Sequence, residues 1–68
     1  MKKTLTLNLT EEEMLALEEL ARTKDVSKTA ILRLSLRLYQ MIDKRLAAGQ
    51  KIFAEDELKN EKTELLLL

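Results

Sequence analysis

The chain contains no cysteine, no histidine and a single glycine. Without cysteine there are no disulfides and no thiol nucleophile; without cysteine or histidine there is no zinc site of the usual kind and no imidazole base. One glycine cannot build a glycine-rich phosphate loop. Ser27 and Ser35 have no sequence partner that would activate them, and cap and helix-packing roles account for both. Glu11-Glu12-Glu13 and Glu55-Asp56-Glu57 are the acidic runs. Helix capping explains the first and a solvated turn the second, so neither is read as a metal site. An enzyme is therefore not expected, nor a cofactor.

No stretch resembles a secretion signal, and the apolar run Leu65 to Leu68 is far too short to span a bilayer, so the expected location is the cytoplasm, away from membranes. At 68 residues the chain sits near the size at which a monomer struggles to bury enough apolar surface, and oligomerisation is the remedy still open to it. Its 46% hydrophobic and 35% charged residues place it among chains that fold. A net charge of zero argues against a uniformly basic nucleic-acid binder. The charge is unevenly spread, however: +2 over residues 1 to 10, −4 over 11 to 25, +4 over 26 to 49 and −2 over 50 to 68. A fold that brings the first and third segments together would make a positive face.

What is present begins with Lys3-Thr4-Leu5-Thr6-Leu7-Asn8-Leu9. Alternation with period two puts Leu5, Leu7 and Leu9 on one side of a strand and Thr4, Thr6 and Asn8 on the other. A lone strand leaves its backbone groups unpaired and needs a partner. Its own copy in a second subunit is one candidate; a competing fold is a monomer in which Lys51 to Glu55 or Thr63 to Leu68 supplies the partner. Next, Thr10-Glu11-Glu12-Glu13 forms a complete capping box, with Leu9 and Met14 at staple positions. A first helix follows, apolar at Met14, Leu17, Leu20 and Ala21, and ends near Thr23 or Lys24.

In the connector Thr23 to Val26, Asp25 is the residue best suited to a left-handed conformation. Ser27 caps a second helix, with Val26 and Ile31 as its staple, that runs about twenty residues to a C-terminal cap at Gly49. Ala30 to Ile42 is apolar almost all round; only Arg33, Arg37, Gln40 and Lys44 leave a polar stripe. Such a helix needs cover on several sides, which a second subunit could give. Past Gly49, Lys51 to Glu55 and Thr63 to Leu68 read either as the strands of a hairpin, with Asp56 to Lys62 as loop, or as a tail ordered by a partner.

If two copies of the first strand pair antiparallel, Leu5, Leu7 and Leu9 of both face the helices, and Thr4, Thr6 and Asn8 of both project from a ribbon that fits a DNA major groove; periodicity alone is equally satisfied if they are the solvent face of a strand. Lys2 and Lys3 could then reach phosphate. Ser27, Lys28 and Thr29 put two hydroxyls and an ammonium at a helix N-terminus, which attracts anions. A capped helix alone explains Ser27, whereas Lys28 is mildly unfavourable in a first turn without an anion nearby.

These residues resemble the ribbon-helix-helix family of DNA-binding repressors, in its CopG-like branch. The likeness runs from Lys2 through Glu11, through Leu17-Glu18 and Ala21-Arg22, and through Val26-Ser27-Lys28-Thr29-Ala30 to Leu36 and Tyr39, covering roughly residues 2 to 45. It implies a mostly α fold: an intertwined homodimer with a two-stranded antiparallel ribbon between subunits, in a domain spanning residues 1–49. By position, Thr4, Thr6 and Asn8 would contact bases, and Lys2, Lys3, Ser27, Lys28 and Thr29 phosphates. The dimer core would hold Leu5, Leu7, Leu9, Leu17, Ile31, Leu34, Leu38 and Ile42. This chain has the short Thr4 where relatives often carry a long basic or amide side chain, and Asp25 where they usually carry glycine. Residues 50–68 lie outside the likeness; in such proteins extensions of this kind bind a partner, often a toxin, or mediate higher assembly. Phe53, Leu65 and Leu67 are the residues suited to that use. The resulting expectation is an autoregulatory repressor of antitoxin or plasmid copy-number type, bound to double-stranded DNA as a dimer or as a tetramer. The alternative is a protein-interaction module with weak or no DNA binding.

Overall fold

The computed structural model describes residues 2–66. Two helices, α1 (Glu11–Lys24) and α2 (Lys28–Ala47), are followed by two strands, β1 (Ile52–Asp56) and β2 (Glu61–Leu65), so the chain is mostly helical with one small antiparallel sheet. It packs as two compact units, residues 1–34 and 35–68. None of the described helices is long and apolar enough to cross a membrane.

In the first unit, residues 2–9 form no strand. Among the described residues β1 and β2 pair only with each other, so the monomeric alternative with an N-terminal strand in the C-terminal sheet is not seen there. The physical reason is local: the capping box turns the chain into α1 immediately after Leu9, and no turn folds a second extended segment back alongside residues 3–9. In that box the Glu13 N–H donates to Thr10 Oγ1 at 3.1 Å and the Thr10 N–H donates to Glu13 Oε1 at 2.8 Å. The second hydrogen bond is the main reason the Glu13 carboxyl is held below its ordinary range, the Thr10 hydroxyl adding to it.

Both helices stop by the same device. The Asp25 N–H donates to the Arg22 carbonyl and the Val26 N–H to that of Ala21; in α2, Gly49 donates to Leu46 and Gln50 to Arg45. This pairing needs one left-handed residue just past the helix, and Asp25 (φ 54°) and Gly49 (φ 83°) supply it. Space around Gly49 is open, so its backbone angle, and no neighbour, calls for glycine. The core is small: Leu17, Ala21 and Ile31 are buried, with Leu9 packed against them.

In the second unit the hairpin, one of the two readings the sequence allowed, is present with different strand limits. Its loop is four residues, Glu57 to Asn60, and Asp56, Glu61 and Lys62, assigned to the loop by the sequence reading, lie in strands. The Asp56 carboxylate accepts from the N–H groups of Leu58 and Lys59 at 3.1 and 3.2 Å, and Asn60 turns left-handed at φ 53°. Those two residues are a turn signal with a mechanism, since Asx side chains bond the backbone two residues on and asparagine tolerates positive φ. Leu66 is outside the strand, and Leu67 and Leu68 lie outside the described residues.

Candidate nucleic-acid interface

The polar residues singled out in the N-terminal segment, Lys2, Lys3, Thr4, Thr6 and Asn8, are all exposed. Their apolar alternates follow a gradient. Leu5 is 84% exposed and Leu7 53%, while Leu9 is half-buried against the core. The segment is thus anchored at its C-terminal end, and Leu9 shares its cluster with Ile31 in the first turn of α2. That contact ties the segment to the element that carries Ser27, Lys28 and Thr29.

At that helix start, Ser27 Oγ accepts from the Ala30 N–H at 3.0 Å. The N–H groups of Lys28 and Thr29 have no acceptor within the helix by construction, and no acidic residue stands in the first turn. Lys28 is explained differently from the sequence-based expectation. Its Nζ lies 3.3 Å from Glu18 Oε2 of α1. The ammonium therefore has an intramolecular partner and needs no anion to account for it. Both side chains are about half exposed, so the pair is worth at most about 1 kcal/mol and its carboxylate can be exchanged for another anion at little cost. What sequence reasoning missed is Glu18, ten positions away on another helix, as the partner of Lys28.

Of the residues assigned to a dimer core, Leu17 and Ile31 are buried, Leu9 and Ile42 are half-buried, and Leu5, Leu7, Leu34 and Leu38 are exposed in the single chain. In the second unit, Leu38 and Ile42 share the wall of an open cleft of about 750 Å³ with Phe53 and Leu65 of the hairpin. Candidate partner-binding residues and candidate core residues thus meet on one surface; Leu67 lies outside the described residues. Arg45 and Lys51 add positive charge to that cleft. Compared with family models, with curated proteins and with solved structures, the chain matches none.

Proposed function

We propose that this chain is a sequence-specific DNA-binding repressor, autoregulatory, that acts as a ribbon-helix-helix homodimer and reads the major groove through Thr4, Thr6 and Asn8. One observation carries the reading: a segment with alternating apolar and polar side chains, fixed at Leu9, leaves Leu5 and Leu7 uncovered and finds no strand partner among the described residues of its own chain. The same segment of a second copy supplies that partner and buries both leucines. Sixteen large apolar side chains are exposed among the described residues, Leu32, Leu34, Leu36, Leu38 and Met41 of α2 among them, against three buried residues. Burying a leucine is worth about 2 kcal/mol, so covering even a few of these on both subunits outweighs the entropy lost on association.

In the dimer, the threonines offer a hydroxyl and a methyl to base edges, Asn8 pairs with adenine, and the two starts of α2 hold phosphates on either side of the ribbon. A phosphate at Lys28 takes the place of Glu18. Mobility shift of a fragment from the chain's own upstream region tests this. Binding is expected to fall for Thr6→Ala with Asn8→Ala; unchanged binding removes the ribbon as the reader. Lys28→Ala should weaken all sequences alike and reduce the salt dependence by about one phosphate per subunit.

The Lys28–Glu18 pair favours a second reading, a dimeric protein-interaction module whose DNA binding is weak and whose hairpin cleft captures a partner, a toxin among the candidates. Absence of DNA affinity at low salt, together with a partner lost on truncation after Gly49, would select it.

A further inference from the structure

The hairpin has two outer edges, and they differ. Among the described residues the sheet contains only β1 and β2, so each strand offers one unpaired edge. The register places Ile52 opposite Leu65, Ala54 opposite Thr63 and Asp56 opposite Glu61 on one face, with Phe53 opposite Glu64 and Glu55 opposite Lys62 on the other. The chain has no proline with which to block an edge, and every residue of β2 is exposed.

We infer that the β2 edge pairs with the β2 edge of a second copy of this chain, giving a four-stranded antiparallel sheet. A two-fold axis at Thr63 sets Thr63 opposite its own copy, Lys62 opposite the second copy's glutamate at position 64, and Glu64 opposite the second copy's lysine at position 62. Directly opposed threonines and opposite charges are favourable cross-strand pairs. The lysine, which would ordinarily protect a strand edge, meets a carboxylate in this register and so selects the partner instead of repelling it. Within the chain both groups already have exposed partners, which an edge pairing would share or exchange at little cost: Lys62 stands opposite Glu55 and lies over the Phe53 ring at 5.5 Å, and Glu64 pairs with Lys51 at 4.0 Å. The β1 edge fails the same operation. A two-fold axis at Ala54 sets Phe53 opposite Glu55 and Ile52 opposite Asp56, with no cation among the four carboxylates of the pair, whereas the β2 pair sets Glu61 opposite Leu65 but has two lysines among its four carboxylates. The residues of the β2 pair are distinct from those of the N-terminal ribbon; paired between separate molecules, the edges turn a chain without a ribbon dimer into a hairpin dimer and join ribbon dimers into tetramers.

Sedimentation of the full chain over a range of concentrations tests this with a matched set, all carrying Glu55→Gln so that residue 62 can be altered without opposing Glu55 across the hairpin. The parent is expected to show the doubling, weakened by salt. Glu64→Lys alone and Lys62→Glu alone place like charges in both pairs and should each weaken it about tenfold or more. An equimolar mixture of the two restores both opposite-charge pairs and should recover the parent's mass. A parent without the doubling, a Glu64→Lys chain that doubles undiminished, or a mixture that stays at the mass of its components would each overturn the inference. A nuclear Overhauser contact between Ile52 and Leu65 in every chain verifies that the hairpin is intact.

Discussion

Two stretches of this molecule read as strands in the sequence, and among the described residues only one of them is paired within the chain. Residues 52–65 fold back through a four-residue loop in which Asp56 and Asn60 do the turning, so each strand finds its partner at the cost of closing a very short loop. Residues 3–9 alternate between apolar and polar and have no strand partner among the described residues, because the chain enters the capping box directly after Leu9. Alternation therefore states which face of a segment is apolar, while the neighbouring turn or cap determines whether its partner can come from the same molecule.

The largest effect should come from putting a charge where the N-terminal segment is thought to pair. Leu7 is exposed in the single chain, so Leu7→Glu would cost a monomer less than about 0.5 kcal/mol. In a ribbon dimer it buries two carboxylates and removes two buried leucines, and the dimer should weaken about a thousandfold, ~4 kcal/mol, by sedimentation. An undisturbed mass would show that the segment pairs with nothing. Leu17→Ala comes next: it empties the centre of a core of three residues and should cost about 3 kcal/mol in chemical denaturation, leaving the Ile52–Leu65 contact of the hairpin in place.

Thr10→Ala removes the hydroxyl of the capping box and should cost about 1 kcal/mol, seen as faster amide exchange in the first turn of α1. Acidification attacks the same box from its other side. Because the folded state holds the Glu13 carboxyl below its ordinary range, its contribution is present above the unfolded-state value and is lost as pH falls through the lower folded-state value. A pH series of α1 exchange should show that loss, and Glu13→Gln, which keeps a box-competent side chain, should flatten it. The smallest effect is a gain: Asp25→Gly relieves a left-handed residue and should stabilise the chain by about 0.5 kcal/mol in thermal melting.

Much of the fold was legible in advance because its signals are local. The Thr10 box, the Ser27 cap, the left-handed Asp25 and the Gly49 terminus all depend on residues within about five positions of one another, and each stands where the sequence puts it. The hairpin was legible only as one of two readings, and its strand limits were not. The strand propensities of Glu61, Lys62 and Asp56 are poor, and cross-strand pairing together with the Asp56 turn overrode them. The partner of Lys28 was not legible at all, since the i, i+4 rules that pair charges along one helix say nothing about Glu18 on another.

By itself the sequence determined the helix limits, the apolar face of residues 5 to 9 and the surplus of apolar side chains on α2, because caps and periodicity act over one or two turns of chain. Only the tertiary structure decided that Leu9 locks against Leu17, Ala21 and Ile31, that Lys28 is answered by Glu18, and that the C-terminal strands take each other as partners, leaving residues 3–9 without one among the described residues. Those outcomes depend on which distant residues the connectors bring within reach, and distance through space is not written in the spacing of a sequence.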